Sequence, residues 1–203
     1  MRILDAAATA DVLKGIAPLA KHAVVKNISD AQAFANDVGY PIVLKALSSK
    51  IVHKTEAGAV RVVQSAEQLA KDFDALKKLA PAILAQEFVK GNEFILGLKK
   101  DPTFGHVIVA GIGGIYVEVY KDVSFRVCPI EAKDAEAMLD DLQGKAILEG
   151  ARGKKLNKKA LIDALVKLSK LPEKHKNIAE LDVNPFILND REGKVCDARV
   201  ILE

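Results

Sequence analysis

Three oxygen-bearing side chains near the end of the 203-residue chain could do chemistry together: Asp182, Asn184 and Asp197. They lie in two apolar runs that flank the polar turn Asn189-Asp190-Arg191-Glu192-Gly193, a pattern that reads as a β-hairpin. If the loop is Asn189 to Glu192, antiparallel register sets Asn184 opposite Asp197 on one face. Side chains repeat with period two, so Asp182 shares that face. Burying such a set on an apolar sheet is costly unless a cation satisfies it. Hard oxygen donors of this kind suit Mg²⁺, which keeps several waters and also takes substrate phosphate oxygens. The plainer reading is an edge hairpin with its polar face in water.

Lys45 is the second candidate, in the middle of Ile42-Val43-Leu44-Lys45-Ala46-Leu47. Either it faces solvent from a half-exposed strand, or its ammonium reaches an anion in a cleft, where a compact point charge suits phosphate. The stretch that follows, Ser48 to Gly58, holds His53 and Lys54 among small and polar residues. It is an ordinary polar connection or a phosphate-friendly loop; by residue type alone His53 is an exposed loop histidine. No G-x-x-x-x-G-K-[ST] occurs in the chain. Gly111-Ile112-Gly113-Gly114 is a hairpin turn or a backbone nest near a ligand. It does not match G-x-G-x-x-G, and the alternating residues 115–120 after it read as a strand, which argues against a Rossmann site. Glu118, Asp122 and Arg126 are charged positions in or beside the strands that follow. No G-x-S-x-G, H-E-x-x-H or Ser/His/Asp signature is present.

The elements that must position these residues are a mixture of α and β. A short helix is expected over 10–17 and a strand over 22–25. Ser29-Asp30-Ala31-Gln32 and Ser65-Ala66-Glu67-Gln68 are capping boxes, and the helix opened by the first should stop at Gly39. Strands are expected at 42–47, 83–89, 94–100, 106–110, 115–120 and 123–128. The turn Asp101-Pro102-Thr103-Phe104-Gly105 is the clearest of the connections. Two late helices follow, one with Ala135, Met138, Leu139 and Leu142 on a stripe, the other capped by Asn157 with Leu161, Leu165 and Leu168. The pattern fits an α+β protein of two lobes joined near Val89 to Glu93.

Composition bounds the rest. Half the residues are hydrophobic, so a sizeable core is available, and the net charge of +3 with interspersed signs gives no strong argument for nucleic acid. The densest basic run, Lys154, Lys155, Lys158 and Lys159, reads as a solvated face. Cys128 and Cys196 have no zinc-like spacing and read as reduced core thiols. No leader and no apolar run of about 18 residues is visible, so a cytoplasmic location is expected.

Several runs occur together in one order: Gly39 to Lys45, His53-Lys54-Thr55-Glu56-Ala57-Gly58-Ala59-Val60, Gln86-Glu87-Phe88-Val89, Lys99 to Gly105, Gly111 to Glu118, Lys121 to Arg126, Ala179 to Pro185 and Asp197-Ala198-Arg199. In that order and spacing the chain resembles the ATP-grasp domain of the NDP-forming acyl-CoA synthetases, and most the separate β subunits of ADP-forming acetyl-CoA synthetases. The resemblance implies an α+β ATP-grasp fold with ATP or ADP bound between two lobes. It implies a small lobe over 29–89 with the phosphate loop, a larger lobe over 90–203 with the metal site, and a weakly matched N-terminal segment, 1–28. It also implies roles: Lys45, Lys54, Gly58, Gly113 and Arg126 around the nucleotide, Glu87, Phe88 and Val89 as the adenine hinge, and Glu93 on the ribose. Asp182, Asn184 and Asp197 would hold Mg²⁺, and His53 would carry a phosphoryl group. That group would pass to or from a phosphohistidine on an α subunit carrying the CoA and acyl site, in an α2β2 heterotetramer. The activity implied is that of an acetate–CoA ligase (ADP-forming). A succinyl-CoA ligase β-type or other carboxylate ligase, and a non-catalytic nucleotide-sensing module, are the alternatives. The chain departs from the family pattern at Ala59, where glycine is usual, and in a short start before Ser29.

Overall fold

The computed structural model of the chain describes residues 1–47, 58–114, 122–151 and 153–203. The chain divides into two compact units, Ala20–Val89 and Met1–Leu19 with Lys90–Glu203. Residues 1–28 are thus shared: Met1–Leu19 belongs with the C-terminal unit, and the residues from Ala20 begin the other.

The Ala20–Val89 unit is an antiparallel sheet in the order β2 (His22–Val25), β5 (Ala82–Glu87), β3 (Ile42–Leu47), β4 (Val60–Val63). One face, with Val25, Ile42, Leu44, Ala46, Val63, Ile83 and Ala85, is buried in one cluster with Ala31 and Ala35 of α2 (Ile28–Val38) and Leu69, Phe73 and Leu76 of α3 (Ala66–Lys77). Period two therefore sends Lys45 to the opposite face. Ser65 caps α3 as expected, its Oγ accepting from Gln68 N at 3.4 Å. The cap of helix α2 is Asn27, two residues before the expected Ser29. Asn27 Oδ1 accepts from Asp30 N at 2.9 Å, and Asp30 Oδ2 accepts from Lys26 N at 3.0 Å. Asn is as good an N-cap as Ser, and here it gains the reciprocal carboxylate. Gly39 ends α2 with φ 81°, which a side chain would resist.

The second unit has a sheet in the order β1 (Arg2–Ile3), β11 (Ala198–Leu202), β9 (Ile178–Leu188), β6 (Asn92–Asp101), β7 (Gly105–Ile112), β8 (Val123–Val127), with β10 (Gly193–Val195) also paired to β9. Leu96, Leu98, Ile108, Ala110, Leu181, Val183 and Val200 form its inner face, buried in one core with the expected stripes of α4 (Ala132–Asp140) and α5 (Lys158–Ser169). A short turn, α6 (Leu171–Lys174), follows. The first helix, α1 (Ala6–Leu13), comes four residues earlier than expected, because Asp5 Oδ1 accepts from Ala8 N at 2.9 Å and Gly15 turns the chain at φ 83°. Asp101 Oδ1 accepts from Thr103 N and Phe104 N at 2.8 and 2.9 Å, which builds the tight β6–β7 turn. The expected strand 115–120 lies outside the described residues.

The basic run is neutralised locally. Lys154, Lys155, Lys158 and Lys159 pair with Asp190, Glu149, Asp140 and Asp163 at 2.9, 2.7, 3.1 and 2.7 Å. Neither cysteine is in a disulfide and both are half-buried; burial pushes the Cys128 thiol up to about 12, so it stays protonated.

Candidate active site

The C-terminal hairpin has the register its turn requires. Leu188 pairs with Gly193, Ile187 with Lys194 and Phe186 with Val195. Farther on, Val183 faces Ala198 and Asp182 faces Arg199. Between these ladders Asn184 N donates to Asp197 O, and Cys196 N to Pro185 O, both at 3.0 Å. The loop is held by Asn189 Oδ1, which accepts from Arg191 N and Glu192 N at 2.9 Å. Leu181, Val183 and Val200 go to the core, so Glu180, Asp182 and Arg199 take the other face. Gly97 lies across from Asp182 on β6, so no side chain crosses it there.

The charges on this open face are close. Arg199 donates to Glu180 Oε1 at 3.0 Å. Burial pushes the Asp182 carboxyl above its ordinary range; Arg199 pulls it down, while Glu180 and Asp197 push it up again. A cation would relieve that crowding. The donors on hand are two carboxylates and one amide, all hard oxygen, which suits an ion that keeps waters. Among the described residues no group of three or more His, Cys, Asp and Glu forms a metal cluster. Arg199 is a member of this face that residue patterns alone do not single out. The usable signal is its place on a strand two residues after Asp197, which repeats the facing of that residue.

The raised Asp182 carboxyl carries a sign. The unfolded chain ionises this group first, so the folded state loses stability as pH rises above the ordinary value of 3.8. In metal-free protein at neutral pH, Asp182→Asn should raise Tm by a few degrees. The gain should fade as pH falls towards 3.8. Thermal melts in chelator at pH 7 and at acid pH check this, and a lower Tm at neutral pH contradicts it.

Lys45 is only 9% exposed and makes a polar contact, which removes the solvent-facing reading. It stands opposite Val60 and Leu84, on the same face as the buried Gln86. Downstream, Gly58 has φ 64°, and a Cβ added there would meet nothing within 4 Å, so its conformation rather than crowding calls for glycine. Ala59 is fully buried in the helix-covered core, and its O accepts from Ala46 N at 2.8 Å. Its methyl is therefore absorbed by packing. His53 and Lys54 lie outside the described residues.

Glu87 ends β5 by exchanging contacts with Lys21: its N donates to Lys21 O at 2.9 Å and its Oε1 accepts from Lys21 N at 2.8 Å. Phe88 and Val89 lie past the ladder, so their backbone groups are not committed to the sheet. In the other unit Glu93 is exposed at the start of β6, and Gly113 N donates to Glu93 O at 2.7 Å. Arg126 is not brought to the face of Asp182. It pairs in register with the core residue Ile108, and its guanidinium bonds Asp141 at 2.8 Å on the helix side. Asp122 is also structural, accepting from Gln143 N and Gly144 N at 2.8 and 2.9 Å.

One unit thus carries a paired sheet with acidic residues on its open face, and the other a buried lysine on a strand. The sequence profile of an ATP-grasp domain matches residues 1–202, and the chain belongs to that family. Within it, the chain is 38% identical over 201 residues to the β subunit of acetate–CoA ligase (ADP-forming) II of Pyrococcus furiosus, covering 92% of this chain and 85% of that one. It is 39% identical over 199 residues to the 4-hydroxybutyrate–CoA ligase (ADP-forming) of Nitrosopumilus maritimus, covering 92% of this chain but only 28% of that longer one. Its structure matches the dinucleotide-forming acetyl-coenzyme A synthetase 1 of Ca. Korarchaeum cryptofilum with TM-score 0.81 and 35% identity, over 96% of this chain and 88% of that one. That enzyme was solved with coenzyme A and Mg-AMPPCP, its phosphohistidine segment pointing towards the nucleotide-binding site. No described helix is long and apolar enough to cross a membrane.

Proposed function

We propose that the chain is the nucleotide-handling subunit of an ADP-forming acetate–CoA ligase, interconverting acyl-CoA, ADP and phosphate with carboxylate, CoA and ATP through phosphohistidine. The observation that carries this is the hairpin register, which sets Asn184 opposite Asp197 and Asp182 opposite Arg199, in a chain related to separate β subunits. Asp182, Asn184 and Asp197 would hold Mg²⁺. Bound there, the ion would neutralise phosphate charge that the carboxylates otherwise repel. In the Ala20–Val89 unit, Lys45 would hold phosphate oxygens as a point charge fixed by its strand. Phe88 and Val89 would offer backbone groups to the adenine edge, with Glu87 anchoring that hinge to Lys21 rather than touching the base. Gly58 would give the phosphate loop its turn, and Glu93 would accept from ribose hydroxyls.

His53, with Lys54 beside it, would relay the phosphoryl group between nucleotide and a phosphohistidine of an α subunit. Imidazole is nucleophilic near neutral pH, and the lysine offsets the incoming charge. The α chain would bring the CoA and acyl site in a cytoplasmic α2β2 heterotetramer. The β-subunit name of the Pyrococcus relative and the greater length of the Nitrosopumilus one support a division of labour. The test is direct. The purified chain should bind ATP with Mg²⁺ by calorimetry, yet form no acyl-CoA in a CoA-consumption assay until the α subunit is added. Full turnover by the chain alone, or no nucleotide binding, overturns the reading.

A further inference from the structure

We propose that Gly113 is a positioning residue that aims the Glu93 carboxylate at a vicinal diol, so that this glycine sets the preference for ribonucleotides over sugars lacking the two hydroxyls. The inference rests on the nucleotide reading above.

Glu93 is the second residue of β6 and is exposed. Among the described residues its carboxylate has no hydrogen bond or ion pair. A free carboxylate with two acceptor oxygens matches two adjacent hydroxyl donors, and such charge-assisted pairs are geometrically demanding. The backbone beneath it is clamped from two sides. On one side Glu93 pairs with Ile187 of β9, and the chain is so close there that a Cβ on Gly91 would lie 2.5 Å from Leu188 O. On the other, Gly113 N bonds Glu93 O at 2.7 Å. A Cβ on Gly113 would stand 2.9 Å from both the carbonyl carbon and the Cβ of Glu93, and 3.0 Å from its O. Those atoms are backbone and side-chain root, not the end of a flexible chain. Nor can β6 slide towards β9 to make room. Any side chain at 113 must therefore displace Glu93 itself, and a binding group needs placement to about 0.5 Å. Gly114 continues the cradle: it has φ 68°, and its Cβ direction ends 3.4 Å from Glu93 Oε2.

The experiment measures the affinity of the full chain for ATP and for 2′,3′-dideoxy-ATP, each with Mg²⁺, by calorimetry. Wild type should prefer ATP about tenfold or more, the scale of hydrogen bonds to a charged group. Glu93→Gln, Gly113→Ala and Gly114→Asn should each shrink that ratio to within about threefold, with binding of the dideoxy compound little changed. Asn tolerates the left-handed backbone, so Gly114→Asn decides the matter if Gly113→Ala does not fold. If wild type or Glu93→Gln shows the ratio to be independent of this carboxylate, the ribose role of Glu93 falls and the inference with it. If Glu93→Gln shrinks the ratio but the glycine variants keep it, or lose affinity for both ligands alike, Glu93 stands and the positioning role is overturned.

Discussion

Asp197→Ala is expected to slow Mg²⁺-dependent phosphoryl transfer by roughly two orders of magnitude or more, the scale for removing a principal electrostatic group at a metal-assisted centre. The fold should survive. The carboxylate accepts a local hydrogen bond, Ala198 N to Asp197 Oδ1 at 2.9 Å, while the backbone bond from Asn184 N to Asp197 O does not depend on the side chain. Asp182 should even be relieved of one neighbouring negative charge. Stability and activity therefore move apart in this variant, which separates a metal ligand from a structural acid. Asp122 offers the contrast. Its carboxylate holds two backbone N–H groups of the Gln143–Gly144 turn, so its loss should cost stability first. Phosphoryl-transfer rates across a Mg²⁺ titration, with circular dichroism as the fold control, check the first claim. Rates like wild type at ordinary Mg²⁺ contradict it.

The other large effect belongs to His53. With the α subunit and γ-labelled ATP, the wild-type chain should yield acid-labile, base-stable label on both chains, the behaviour of phosphohistidine. His53→Ala should abolish the label on both. Its affinity for ATP should stay within a few fold, since Lys45, Asp182, Asn184 and Asp197 are unchanged in this variant. A phosphoryl group carries about −1.5 to −2 charges, so Lys54→Ala should lower labelling without removing it. If the α chain still labels in His53→Ala, its own histidine attacks ATP directly, and His53 loses the carrier role while the nucleotide site stands.

Much of the fold is legible in the sequence where two independent constraints agree. The hairpin register follows from loop length and from period two together, and a slip of one residue would put Val183 in water and Asp182 in the core. The stripes of α4 and α5 are legible for the same reason. Facing is not legible for Arg126, because β8 alternates apolar and polar residues with the apolar ones outward: Phe125 and Val127 are exposed, and Ser124 is buried. Only the pairing with Ile108 and the contact with Asp141 reveal the side it takes. Asp122 is opaque because its partners lie more than twenty residues away. At the start of α2, Asn27 and Ser29 compete as caps within one turn, and propensity alone cannot choose between them. The consequence of Ala59 also needs the structure, since only burial shows that its methyl is spent in the core.

The central claim is that this chain passes a phosphoryl group from Mg-bound nucleotide to a partner chain. The measurement that tests it most directly is label on the α subunit after mixing with wild-type chain and γ-labelled ATP, with Mg²⁺ and with chelator. The expected result is acid-labile label on α that requires this chain and vanishes in chelator. Label on α without this chain, label that persists in chelator, or none under any condition would contradict that transfer.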